Sequence, residues 1–145
     1  MKKIILIFVM MLVASVGYGK KITKEQFRNE LEMVSKGQTC YNKNSRFRLL
    51  YIIITSTDKD EIYDAYNRML VKHRNVLKGS GTYDISMSLQ TPYFYDNLDI
   101  VRHRLRNYIL NHSITECLNY EDYSLYSSID NADEIIREYF LSLFK

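Results

Sequence analysis

Tryptophan is absent from this 145-residue chain, which carries only three histidines, two cysteines, five glycines and one proline. Each shortage removes a class of chemistry. His73, His103 and His112 never fall at a spacing that puts two on one helical turn, so no zinc site is expected. There is no glycine-rich phosphate loop and no Gly-x-Ser-x-Gly elbow, which argues against nucleotide binding and against a serine hydrolase. No catalytic residue, cofactor or metal is therefore expected.

The chain does contain one long apolar run. Ile4 to Val16, interrupted only by Ser15, follows Met1-Lys2-Lys3 and leads into Gly17 and Gly19. A charged head, a greasy stretch and small residues at its end form a cleavable export signal, residues 1–19. The alternative is a retained anchor. Thirteen helical residues cover only about 20 Å of a hydrocarbon core of about 30 Å, so no stable membrane span is expected after cleavage.

Residues 20–145 suit a single domain with its own core. Loss of Lys2 and Lys3 lowers the formal charge from +3 to +1, which argues against nucleic acid as a partner. Cys40 and Cys117 both lie in this part. In an oxidising compartment two cysteines most simply pair, and the loop they close is worth roughly 4 kcal/mol in the chain-entropy model.

Periodicity predicts a mainly α fold of four to five helices, disulfide-stapled, with room for a short two-stranded element. Thr23 and Gln26 have the spacing of a capping box, Phe27, Leu31 and Val34 share a face, and Gly37 suits a helix end. The run 47–54 is either a buried helix or a strand, with helix favoured. Asp58 opens a long helix whose stripe is Ile62, Tyr66, Met69, His73 and Val76, ending at Gly79-Ser80-Gly81. Residues 82–90 alternate as a half-buried strand or an extended loop would. Thr91-Pro92 has the form of a helix start, with Phe94, Leu98, Val101, Leu105 and Tyr108 on one face. A polar loop bearing Cys117 follows, then a closing helix outlined by Ile129, Ala132, Ile136, Tyr139 and Leu143.

Thirteen tyrosines stand in for the missing tryptophan. Their rings either cap the core or form a recognition surface, for which tyrosine offers apolar area, a hydroxyl and few rotors. Tyr93 and Tyr95 at a helix head, and Tyr120, Glu121, Asp122 and Tyr123 in the acidic last third, are the candidate partner-binding residues. The adjacent carboxylates Glu121 and Asp122 otherwise read as a solvated pair. Lys72, Arg74, Lys78, Arg102, Arg104 and Arg106 gather near two helix ends, through dipole compensation or as a patch for an anionic partner.

The layout of export signal, small helical domain, Cys40 after the first helix, and Cys117-Leu118-Asn119-Tyr120 leading through Leu125-Tyr126 to Ile135-Ile136-Arg137-Glu138-Tyr139 resembles the periplasmic amidase-immunity proteins of type VI secretion. The segment between Gly79 and Thr91 departs from that compact pattern. The resemblance implies a periplasmic, non-enzymatic inhibitor that blocks the groove of a cell-wall-degrading toxin effector. It supplies no binding residue; those named above come from the surface argument. Two other readings stay open, a secreted host-facing binding protein and a small hydrolase using Cys40 or Cys117. A homodimer is also left open.

Overall fold

A computed structural model describes residues 21–38, 43–83, 96–115 and 120–144. Among them are seven helices and no strand: α1 Lys24–Ser35, α2 Arg46–Thr55, α3 Lys59–Lys72, α4 Arg74–Ser80, α5 Leu98–Asn111, α6 Tyr120–Tyr126 and α7 Ala132–Leu143. The centre is α2, which packs against α1, α3 and α7. Seven of its ten residues are buried, including Phe47, Leu49, Leu50 and Ile53. A helix wrapped on most sides needs apolar residues on most sides, which is why 47–54 shows no amphipathic period. The helix expectation there is correct.

Around α2 the other helices bury single stripes. Phe27, Leu31 and Val34 of α1, Val101, Leu105 and Ile109 of α5, and Ile135, Ile136, Tyr139 and Phe140 of α7 join one core. Each fully buried Leu, Ile or Phe contributes about 1.5–3 kcal/mol of transfer free energy. The helix starts are set locally. Thr23 accepts from the Gln26 amide at 3.1 Å while Gln26 Oε1 accepts from the Thr23 amide at 3.0 Å, a complete capping box. Asp58 takes the amides of Asp60 and Glu61 at 3.0 and 3.3 Å. Gly37 at φ 70° follows α1 and Gly81 at φ 77° ends α4; both lie in the left-handed region where a side chain is strained.

The long helix expected from Asp58 to Gly79 is two helices. His73 leaves helical geometry at φ −135° and ψ 44°, and α4 starts anew at Arg74. The buried stripe nonetheless runs through the break: Ile62, Tyr66, Met69, His73 and Val76 are all buried. At the interruption the His73 ring is held by Asn44 and Arg46 of a neighbouring segment.

Helix C-termini leave carbonyls without intrahelical donors. Here arginines from other helices supply them. Arg48 donates to the Ser35 carbonyl at the end of α1, 3.0 Å, and Arg102 of α5 donates to Ile53 and Ser56 at the end of α2, 2.9 and 2.7 Å. Arg137 of α7 donates to Ile109 near the end of α5 at 2.9 Å, and Arg104 reaches the Gly81 carbonyl beyond α4. Arg102 and Arg104 thus serve the ends of other helices, a role beyond the two considered for them from sequence, dipole compensation and a patch for an anionic partner.

The two ends of the domain are clipped together. The Ile22 amide donates to the Ser128 carbonyl at 3.0 Å, Lys21 reaches Ser127 O at 3.1 Å and Asp130 at 3.3 Å, and Lys24 lies 3.6 Å from Glu138. The count of four to five helices is exceeded for two reasons, the break at His73 and α6, which occupies what was read as polar loop. The segment 82–90, expected as a strand or an extended loop, and the start at Thr91-Pro92 fall almost wholly outside the described residues, as do Cys40 and Cys117, so the staple itself is not among the contacts. No helix among the described residues is long and apolar enough to cross a membrane.

Candidate functional site

At the amino end of α2, polar side chains from three segments meet inside the core. Ser45, Arg46, His73 and Asp122 are all buried. Ser45 caps α2 by accepting from the Phe47 amide at 3.3 Å, and its hydroxyl donates to Asp122 Oδ1 of α6 at 2.5 Å. Arg46 donates through Nη1 to the Ile114 carbonyl, and its Nη2 stands 3.3 Å from His73 Nδ1. His73 Nε2 lies 2.8 Å from the Asn44 carbonyl.

These contacts assign the tautomer. A carbonyl can only accept, so Nε2 carries the proton and Nδ1 is left to accept from Arg46. The ring is neutral. Burial lowers the His73 pKa first, and the Arg46 and Lys72 charges lower it further against the opposing pull of the Asn44 carbonyl. The serine, histidine and carboxylate are therefore a set of internal struts. Ser45 has its hydroxyl committed to Asp122, and His73 is bonded to Arg46 and Asn44 and not to Ser45.

Asp122 holds α6 from beneath. This corrects the reading of Asp122 as a solvated, surface-contact carboxylate. Leu125, three positions on, is also buried, so the inward face of α6 is fixed by one polar and one apolar contact. The outward face carries Tyr123, 58% exposed, with its ring 6.4 Å from that of Tyr126. Tyr120 and Glu121 occupy the first turn of the same helix.

Asp133 at the start of α7 locks the other side of this region. Its Oδ1 accepts from Ser113 at 2.7 Å and Thr115 at 2.5 Å, and its Oδ2 accepts from Tyr126 at 3.1 Å. Burial alone would raise the Asp133 pKa, but the hydroxyls of Thr115, Ser113 and Tyr126 more than reverse that and hold it below the usual carboxylate range. Burial and the adjacent Asp133 push the Tyr126 phenol up. The acidic last third is thus less acidic at its surface than its residue count implies, since Asp122 and Asp133 face inward and Asp130 and Glu138 are paired with lysines.

Of the residues named from sequence, the structure brings Asp122 and Tyr123 together on α6, one inward and one outward, with Tyr120 and Glu121 on the same helix. Tyr93 and Tyr95 lie outside the described residues. Ser45 and Arg46 were missed; nothing local marks them, because their partners lie 77 and 68 positions away. His73, placed by sequence on the apolar stripe of its helix, is buried. No group of three or more His, Cys, Asp or Glu suited to a metal occurs among the described residues. No family model, curated protein or solved structure matches the chain.

Proposed function

We propose that this chain is an exported binding protein that works by recognising another protein, and that in the periplasm it inhibits a cell-wall-degrading amidase toxin by covering its active-site groove. The observation that carries the reading is α6. A seven-residue helix is too short to persist alone, yet this one is anchored through Asp122 and Leu125 and turns Tyr123 to solvent. An exposed aromatic on an immobilised support is the arrangement of a binding anchor, because little side-chain freedom is lost on contact.

The proposal includes the Cys40–Cys117 staple. Ser45 lies five residues after Cys40 and Asp122 five after Cys117, and these two are hydrogen-bonded. Arg46 likewise bonds Ile114, three residues before Cys117. The flanks of both cysteines are therefore side by side, which supports a bridge between them.

The test is protection of cells that export both the toxin and this protein. Tyr123→Ala is expected to weaken protection while changing stability by no more than about 0.5 kcal/mol, as for an exposed substitution. Leu125→Ala should cost about 2–5 kcal/mol and lose protection through unfolding. Full protection by a folded Tyr123→Ala protein would remove α6 from the interface. Capture of partners from the native envelope would name the target.

A further inference from the structure

A cleft of about 910 Å3 opens where α5 crosses the end of α2 beside the last residues of α7. One side carries two arginines. Arg102 and Arg106 lie four positions apart on α5 and both line the cleft, with His103 beside them, and Arg102 is fixed in place by the Ile53 and Ser56 carbonyls. Apolar lining comes from Ile54, Leu143 and Phe144.

A second hollow of about 380 Å3 adjoins it, lined by Arg28, Glu32 and Lys36 of and beside α1. Tyr51, Ser142 and Leu143 line both hollows, so the two form one groove with an aromatic and apolar saddle at its middle. The charges do not cancel evenly along it. Asp99 offsets Arg102, and Glu32 is tied to Lys36 at 2.6 Å. That leaves Arg106 at one end and Arg28 at the other, both exposed and without an ion pair or hydrogen bond among the described residues.

We propose that this groove binds an extended acidic peptide segment, with carboxylates at the two ends paired to Arg106 and Arg28 and an apolar side chain seated on Tyr51 and Leu143. Length, an apolar centre and separated cations together select this class. A compact anion would need converging donors, and a nucleic-acid strand would need phosphate contacts along the whole groove. None of the residues named in the groove belongs to α6, so this site is independent of the recognition surface proposed above.

The probe is a fluorescein-labelled hexapeptide with two glutamates, then leucine and phenylalanine, then two aspartates, followed by fluorescence anisotropy on the full oxidised protein. Saturable binding that weakens with salt is expected, as is loss of affinity of about tenfold or more for each of Arg106→Glu and Arg28→Glu, the worth of one charge-assisted contact. Circular dichroism of both variants should be unchanged. Tyr123→Ala should bind the probe normally, which separates this site from α6. Equal binding of a lysine-for-acid probe, of a glycine-serine-centred probe or of an oligothymidine would overturn the proposal. So would unaltered affinity in both folded arginine variants, or no binding of the acidic probe at all.

Discussion

His73 Nδ1 stands 3.3 Å from the guanidinium of the buried Arg46, accepting from the one permanent cation in the core junction. Protonating that nitrogen would place two positive charges in contact and remove the acceptor that faces Arg46 Nη2. The contact therefore disfavours the charged ring at the α3–α4 break.

Stability should consequently depend on pH through His73. The unfolded chain protonates this ring near the ordinary value of about 6.5, and the folded chain does so only at lower pH. The unfolded state then binds more protons between the two values, so the contribution is present above the unfolded value and is lost as pH falls through the folded one. Urea midpoints measured between about pH 5 and about pH 8 should fall on the acid side. His73→Gln should flatten that part of the profile; parallel curves for the two proteins would locate the titration elsewhere.

Ser45 and Asp122 should be energetically coupled. Ser45→Ala removes a helix cap and a hydrogen bond to a buried carboxylate, an expected loss of about 1–3 kcal/mol. In a double-mutant cycle with Asp122→Ala the coupling should exceed about 0.5 kcal/mol. Additive losses would mean that the 2.5 Å contact adds nothing to stability.

Arg102→Lys tests the capping of one helix by another. A lysine carries the same charge but not the fork that reaches Ile53 and Ser56 together, so the variant should lose about 1–2 kcal/mol. A wild-type urea midpoint would reduce Arg102 to a point charge.

Asp133→Asn should change acid stability. Because the folded carboxylate titrates below its unfolded value, its contribution is present above that value and is lost as pH falls through the folded one. The wild type should therefore weaken steeply below about pH 4, and the variant should be weaker at neutral pH but less acid-sensitive. Matching acid unfolding curves would contradict this.

Much of the fold was legible because burial on one side of a helix writes a period into the sequence. The stripe from Phe27 to Val34 and the one from Val101 to Tyr108 each belong to a helix with one face inward. The reading weakened where that condition failed. At 47–54 the helix is buried nearly all round, so its pattern did not separate helix from strand. At His73 the stripe continued across a break, since the periodicity of buried positions records which side faces inward and not whether the backbone bonds persist. At α6, seven residues rich in polar groups carried too little period, and Asp122 looked solvated because the serine that satisfies it is 77 positions upstream. The contacts of Arg102 and Arg104 were not legible either, because the carbonyls they serve belong to other segments, 49 and 23 positions away.

The clip between Lys21-Ile22 and residues 127–130 has a consequence for when the molecule can form. Lys21 bonds a carbonyl 106 positions away, and α1 rests against α7 as well as α2. As the chain emerges, its first helix lacks part of its docking surface until nearly the last turn has appeared. Contacts of such separation make folding slower than a bundle of neighbouring hairpins would be. The seam between α1 and the 127–130 turn is thus the part of the domain that closes only once its final helix is in place.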